Sequence, residues 1–273
     1  MLDARAQAAS LYSALAATIV EKAAGRTIVY VPNPGNFGDG LIRYATKMFF
    51  KHYGIDHIEL NIAFRGGRYL LIPLLLRRKY FLVYGGGGAW CGNFCFGRDI
   101  CRMISRFTNQ FLVLPTTYDS DITGISGTLM RRDNYVSKTV APHSSFCHDM
   151  ALYLAVQDTR SFQGTPNDAE PCYALRTDRE SALTKGDLPD GNLDFSEMGN
   201  HMSNGDEFIE LVSRYKTIVT DRLHVAIAGG LAQATVELRS GNNSKIEGVY
   251  KSSLRDMFPH IAFANPLSEP SGS

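Results

Sequence analysis

The sequence predicts an α/β protein of two Rossmann-like lobes facing a cleft. Short apolar runs rich in β-branched and aromatic residues alternate with helical patterns along the chain, the signature of helices layered on strands. Several of these runs stop abruptly at glycine, proline or a polar turn, the places where ligands collect in such folds. A polar stretch with Gly and Pro at 158–171 (DTRSFQGTPNDAEP) reads as a linker between an N-terminal lobe, 1–157, and a C-terminal lobe, 172–273. The hydrophobic content of 44% against 20% charged residues places the chain among globular rather than disordered proteins.

The elements follow in order. Residues 1–25 are Ala-rich, interrupted by Asp3, Arg5, Glu21 and Lys22, and read as an amphipathic helix closed by Gly25. TIVYV (27–31) is a strand ending in Pro32-Asn33-Pro34-Gly35. In 41–53 the apolar positions Leu41, Tyr44, Ala45, Met48 and Phe49 recur at three and four, so a helix is expected, closed by Gly54. YFLVY (80–84) is a buried strand running into four glycines, and QFLVL (110–114) is another, ending in Pro115-Thr116-Thr117. In the second half, 172–176 is strand-like and 206–214 helical. YKTIVT (215–220) is a strand, with Thr220 or Asp221 as N-cap of the helix after it. ATVEL (234–238) is the last clear strand, 245–257 is helical, and the tail from Asn265 is frayed.

Charge and cysteine usage narrow the function classes. Lys plus Arg number 28 and Asp plus Glu 27, which gives no electrostatic reason to expect nucleic acid as a partner. The N-terminus lacks the basic start and unbroken apolar core of a signal peptide. Five cysteines at irregular spacing, Cys91, Cys95, Cys101, Cys147 and Cys172, fit reduced thiols in the cytoplasm. Cys91 and Cys95 do not form a C-x-x-C pair and no matching His pair follows, so no metal is expected. No apolar run is long enough to span a membrane. The nearest approach, LLIPLLL (70–76), is broken by Pro73 and followed by Arg77, Arg78 and Lys79. It reads either as a short buried segment with a charged exit or as a patch that touches a membrane surface, which would put the protein at the inner face of the membrane.

The chemistry-bearing motifs sit at strand ends. In Asp221-Arg222-Leu223-His224, an arginine and a histidine in the first turn oppose the helix dipole, a conflict that a bound anion would relieve. An imidazole, which titrates near neutrality, at such a turn marks a candidate active site. Gly35-Asn36-Phe37-Gly38-Asp39-Gly40 follows the first strand. Asp39 there is placed to cap the helix expected near Leu41, or, with Asn36, to bind a polar ligand and assist proton transfer. The glycines at 85–88 could form an anion-binding nest through Gly86 and Gly87. With Trp90 in the sixth position they do not spell G-x-G-x-x-G, so no dinucleotide fingerprint is present. Arg131-Arg132-Asp133 offers a guanidinium for a phosphate or carboxylate, or is an ordinary surface pair. Arg176-Thr177-Asp178-Arg179-Glu180 puts further charge at a strand end, and the stretch from Ser240 to Lys245 offers Ser244 and Lys245 beside a helix N-terminus, or is a plain polar connection.

Taken in order, these pieces resemble the polysaccharide pyruvyl transferase family. The resemblance runs through Gly35-Asn36-Phe37-Gly38-Asp39, the glycines at 85–88, Leu114-Pro115, Arg132-Asp133, His148-Asp149-Met150-Ala151, Leu175-Arg176-Thr177-Asp178-Arg179-Glu180 and Thr220-Asp221-Arg222-Leu223-His224, and spans roughly residues 28–250. It implies a fold similar to GT-B glycosyltransferases. It also implies transfer of the pyruvyl group of phosphoenolpyruvate to two hydroxyls of a sugar, free or lipid-linked, giving a cyclic ketal and phosphate. The family's Arg-Leu-His arginine and histidine are associated with the phosphoenolpyruvate site, and they match Arg222 and His224; Arg132 matches a second arginine. Family members commonly carry another histidine where this chain has Ala226 and an acidic residue where it has Arg239.

In that reaction, protonation of the methylene makes the adjacent carbon electrophilic. One sugar hydroxyl attacks it, and a second displaces phosphate. No step calls for a cofactor beyond the phosphoenolpyruvate donor. His224 is the expected base and Asp39 the second choice. The substrate-binding set is Arg222, Arg132, Asn36, Gly86, Gly87, Ser244 and Lys245. The alternative is a GT-B-like glycosyltransferase that uses a sugar nucleotide in the same cleft.

Overall fold

Two parallel β-sheets carry the chain in a computed structural model that describes residues 2–88, 90, 94–157, 170–184, 186–241 and 245–264. Most of the stretch read as a linker, the tail from Asn265, Cys91 and Ser244 lie outside the described residues. The first sheet comprises β1 (Thr27–Val31), β2 (His57–Glu59), β3 (Tyr80–Tyr84), β4 (Phe111–Thr116), β5 (Thr128–Arg131) and β6 (Ser145–Phe146), in spatial order β2-β1-β3-β4-β5-β6. The second comprises β7 (Cys172–Ala174), β8 (Thr217–Thr220), β9 (Thr235–Arg239) and β10 (Ile261–Ala264), in order β10-β9-β8-β7. Every strand pairing within the two sheets is parallel. The central strands β3 and β4 are almost wholly apolar and buried, as expected of parallel strands covered on both faces; β8 is largely buried but begins and ends in threonine.

The first helix, α1 (Leu2–Ala23), ends where Ala24 and Gly25 turn left-handed. Its buried positions Ala8, Tyr12, Leu15, Ala16, Ile19 and Ala23 recur at three and four, so one face packs inward. The second, α2 (Phe37–His52), begins four residues before the sequence pattern places it. Its N-cap is Asn36, not Asp39: Asn36 Oδ1 accepts from the Gly38 N–H, while Asp39 Oδ2 accepts from the Asn36 N–H. The apolar periodicity starts at Leu41 because the first turn, Phe37–Gly40, is fixed by this reciprocal cap instead.

Short helices α3 (Leu71–Leu76), α4 (Phe96–Ser105), α5 (Val136–Val140) and α6 (Tyr153–Val156) complete the layers around the first sheet. In the second half, α7 (Gly205–Val212) and α8 (Leu223–Leu231) are followed by a helical run that is not uniform. It passes from α9 (Lys245–Val249) through a π-helical turn at Tyr250–Leu254 into α10 (Arg255–Met257). That turn faces the first half: Asn134 N–H donates to Ser252 Oγ, and Ser253 Oγ lies 2.7 Å from His148 Nδ1.

One apolar core is shared by both halves. Phe37 and Phe49 of α2 join Phe208 of α7 and Leu223 and Ile227 of α8 in the same buried cluster, with the Phe37 and Phe208 rings 4.8 Å apart. A second cluster, built on Val29, Leu82, Trp90, Ile100 and Tyr118, covers the other face of the first sheet. Among the described residues no helix is long and apolar enough to cross a membrane.

Candidate active site

Because the strands of each sheet run parallel, all the carboxyl ends of a sheet share one edge. A cavity of about 410 Å³ is lined by segments that follow those ends in both sheets. The turn after β1 contributes Asn33, Asn36 and Asp39; the one after β3, Gly88; and the one after β5, Arg132. From the second sheet come Arg176, Asp178, Arg179 and Glu180 after β7, Arg222 and His224 after β8, and Lys245 after β9.

The turn after β8 is held by its polar residues. Thr220 Oγ1 donates to the Ala174 carbonyl at the end of β7 (2.6 Å) and accepts from the Arg222 N–H (3.0 Å). Asp221 Oδ1 accepts from the Arg176 N–H (2.8 Å). Neither Thr220 nor Asp221 is therefore the N-cap of α8. That position is Arg222, extended at φ −103° and ψ 114° with no side-chain cap. The two residues read as caps instead tie neighbouring strand ends together. In α8 every residue except His224 is buried, and Leu223 and His224 at its start line the cavity.

The charge conflict at this turn is resolved inside the protein. Asp194 grips Arg222 bidentately, Oδ1 on Nε at 3.0 Å and Oδ2 on Nη2 at 2.5 Å, and Asp178 takes Nη1 at 2.8 Å. Carboxylates of the chain thus neutralise Arg222, whereas His224 has no such carboxylate within hydrogen-bond distance among the described residues. Asp178 is held below the ordinary carboxylate range: burial alone would raise it, but Arg176 and Arg222 outweigh that. Glu180 behaves alike, with burial opposed by Lys245 and Arg176, whose nitrogens both lie 2.5 Å from its oxygens.

Arg132 and Asp133 are buried, so the surface-pair reading does not hold. Asp133 accepts from the Tyr135 and Ser137 N–H groups and from Ser137 Oγ, fixing the start of α5. Arg132 donates from Nε to Thr117 Oγ1 (2.8 Å) and from Nη1 to Asp149 Oδ2 (2.6 Å). Its Nη2 points elsewhere. A side chain added at Gly88 would meet Arg132 Nη2 at 3.5 Å and Lys245 Nζ at 4.0 Å. Gly88 thus leaves open a point in the cavity wall that two cations flank.

The other glycines of the run serve the sheet. Gly85 N–H donates to the Val31 carbonyl and Gly87 N–H to the Pro115 carbonyl. Gly86 lies against the Pro115 carbonyl. The expected nest of consecutive N–H groups is not formed, because β1 and β4 take up these donors; Gly86 and Gly87 do not line the cavity.

His224 and Asp39 meet on the first-sheet side. The imidazole rests on Gly38, where a Cβ would stand 2.6 Å from Nδ1; only glycine admits the ring there. His224 Nε2 is buried without a hydrogen-bond partner and lies 3.6 Å from Asp149 Oδ2. Burial would raise the Asp149 carboxyl, but His224, Arg132 and the Ala151 N–H together hold it well below the ordinary range. Asp39 goes the other way. It accepts from Asn33 Nδ2 (3.0 Å) and the Asn36 N–H (3.1 Å), yet burial pushes its carboxyl up, with His224 and those hydrogen bonds only partly opposing.

Of the residues singled out from sequence, Asn36, Asp39, Arg132, Arg222, His224 and Lys245 converge on this cavity. The cavity is also lined by Asn33, Arg179 and two exposed aromatics, Phe94 and Phe96, and behind its wall the buried Asp149 and Asp194 hold Arg132 and Arg222. Arg179 is the cation whose side chain is exposed in the cavity without an ion pair among the described residues. Its motif was visible in sequence, but nothing there separates it from Arg176, which Glu180 binds. Asp194 carries no sequence signal, because it lies in a loop distant in sequence from its partner.

No protein-family model matches the chain, and no curated protein matches it. Among solved structures it is similar to an uncharacterized protein from Klebsiella pneumoniae, at 24% identity and a TM-score of 0.71, over 92% of this chain and 97% of that one. The likeness extends to the fold, a mixed α/β architecture of parallel sheets in the Rossmann-like class.

Proposed function

We propose that the protein is a pyruvyl transferase that moves the pyruvyl group of phosphoenolpyruvate onto two hydroxyls of a sugar acceptor, in a GT-B-like arrangement of two Rossmann-like lobes. One observation carries the reading: the cavity brings together a histidine and a glycine position flanked by Arg132 Nη2 and Lys245 Nζ. A donor with a carboxylate and a phosphate needs several such donors: Arg132 keeps Nη2 free of its Asp149 pairing, Lys245 adds its ammonium beside Glu180, and Arg179 lines the cavity without an ion pair among the described residues. Arg222 serves a different role from the one its motif implies, as the centre of the carboxylate cluster that shapes the wall.

His224 handles the protons. Protonated, it is stabilised by Asp149 and delivers a proton to the phosphoenolpyruvate methylene; the neutral imidazole then takes the proton of the attacking hydroxyl. The proton of the second hydroxyl leaves with phosphate, so two hydroxyl protons end on the new methyl group and on the phosphate. The 3.6 Å separation from Asp149 closes to a hydrogen bond with a small ring movement, as catalytic contacts commonly tighten with substrate bound. Phe94 and Phe96 offer apolar faces at the rim for the acceptor sugar, free or lipid-linked. Phosphoenolpyruvate is an intracellular metabolite, so this reading places the reaction in the cytoplasm.

Thermal unfolding with phosphoenolpyruvate, pyruvate, phosphate and a panel of sugar nucleotides tests it, because a selective ligand raises the midpoint by mass action. A rise with phosphoenolpyruvate that Arg179→Ala removes is the expected result. Arg179 is the informative substitution because it carries no internal carboxylate, whereas Arg222→Ala would perturb the fold. His224→Ala should keep the rise and lower turnover by about 10²–10⁴-fold. A rise only with a sugar nucleotide would overturn the pyruvyl reading in favour of glycosyl transfer.

A further inference from the structure

Away from the cavity, the segment from Phe64 to Lys79 has a composition unlike the rest of the surface. Residues 67–70 form a short 3₁₀ turn that leads directly into α3. Leu71 and Leu75 point into the core beneath the first sheet. Their neighbours point out: Phe64 is 56% exposed, Tyr69 54%, Leu70 45% and Leu76 69%. A buried segment with a charged exit accounts for only half of these residues.

The charge around them is of one sign. Arg65, Arg68, Arg77, Arg78 and Lys79 are all exposed, and none makes an ion pair among the described residues. No Asp or Glu occurs between Glu59 and Asp99, although the chain as a whole has a formal net charge of only +1. Arg68 lies over the Tyr69 ring and Lys79 over the Tyr80 ring, at 5.1 Å in each case, so aromatic and cationic groups are presented together. The helix α4, against which α3 packs, is followed by the exposed pair Arg106 and Phe107.

We infer that this face docks on an anionic phospholipid surface, with Leu70, Leu76, Tyr69 and Phe64 entering the headgroup region and the five cations meeting the lipid phosphates. Aliphatic and aromatic tips ringed by Lys and Arg fit an interfacial anchor, and the absence of any carboxylate within the segment suits a surface of negative charge. A protein partner would leave five like charges to be answered one by one. The inference is independent of the chemistry in the cavity, because none of these residues lines it.

Co-sedimentation of the full chain with vesicles tests it, comparing pure phosphatidylcholine with phosphatidylcholine containing phosphatidylglycerol. Binding to the anionic vesicles alone, weakened by salt, is the expected result. Arg77→Gln, Arg78→Gln and Lys79→Gln combined should weaken it about a hundredfold, and Leu70→Ser with Leu76→Ser should release the protein while its melting temperature stays unchanged. No binding to anionic vesicles overturns the inference, as does binding that neither variant alters. A patch that instead pairs two copies would appear as a dimer in sedimentation velocity, lost in the leucine variant, and would equally overturn it.

Discussion

The two walls of the cavity solve the problem of buried charge in opposite ways. On the second-sheet side, Arg222 meets Asp194 and Asp178, and Glu180 meets Arg176 and Lys245. In these pairs the charged atoms lie within 2.8 Å of one another, while Arg179 stays exposed at the cavity. On the first-sheet side, Asp39 is buried with only an amide and a backbone N–H for company, and its carboxyl is pushed up. The first wall pairs Arg132 with Asp149 but leaves Asp39 without an ion pair among the described residues, and it receives His224 from across the cavity; in the second, Arg222 and Glu180 are held in ion pairs. A closed ion-pair cluster holds shape, whereas an uncompensated titratable group stores the capacity to exchange a proton. The comparison assigns scaffold to one wall and proton chemistry to the other.

The largest effect should come from breaking the closed wall. Arg222→Ala leaves Asp194 buried with no cation, and removing one partner of a buried pair costs about 3–5 kcal/mol. Urea unfolding near neutral pH measures this directly. A loss under about 1 kcal/mol, the range of exposed pairs, would show that the cluster is not what holds the second wall, and the contrast between the walls would fail.

A smaller effect belongs to His148, the neighbour of Asp149 in the chain. His148, wedged between Asp149 and Ser253, is held down to about 4, chiefly by burial, with Asp149 and Asp256 opposing. The native imidazole stays neutral while the unfolded one, near 6.5, takes up a proton. Stability from this group is therefore full above about pH 6.5 and is lost as pH falls toward 4. Between pH 7 and pH 4.5 the wild type should lose about 2 kcal/mol more than His148→Gln in parallel urea titrations. Equal losses would mean that His148 binds its proton alike in the folded and unfolded states and that burial does not hold it neutral.

The sequence made the strong elements legible and left the short ones hidden. TIVYV, YFLVY and QFLVL announce central strands through unbroken apolar runs, and β1, β3 and β4 coincide with them. By contrast β2, β5 and β6 are two to four residues long and carry Glu59, Arg131 and Ser145. They lie in strand positions because the sheet extends to them, a tertiary preference that local propensity does not record. The same division runs through the site. Asp39 and His224 stood out because each closely follows a legible strand, and Arg132 because it belongs to an Arg-Arg-Asp run. The partners that decide what those residues do, Asp149 for His224 and Asp194 for Arg222, come from loops far away in sequence, and only folding reveals that Arg222 is already neutralised while Arg132 keeps one nitrogen for the cavity.

The finest test of the contrast is Asp39→Asn. Because burial raises the Asp39 carboxyl in the folded protein, the native state binds this proton more readily than the unfolded chain. Ionisation therefore opposes folding, and that penalty grows as pH rises through and above the ordinary carboxylate range. Asparagine removes the charge but retains one acceptor, so it can satisfy either Asn33 Nδ2 or the Asn36 N–H and not both. A lost hydrogen bond costs about 1 kcal/mol, and relief of the buried charge offsets it. The net change in stability near neutral pH should stay within about 1 kcal/mol of the wild type, shifting in favour of the variant as pH rises. Turnover should fall sharply even so, with the phosphoenolpyruvate-induced rise in melting temperature preserved. A residue whose removal leaves the fold intact while abolishing the reaction belongs to the chemistry of the first wall. A loss of several kcal/mol with no change in turnover per folded molecule would instead make Asp39 a helix cap and nothing more, and the proton-exchanging role would rest on His224 alone.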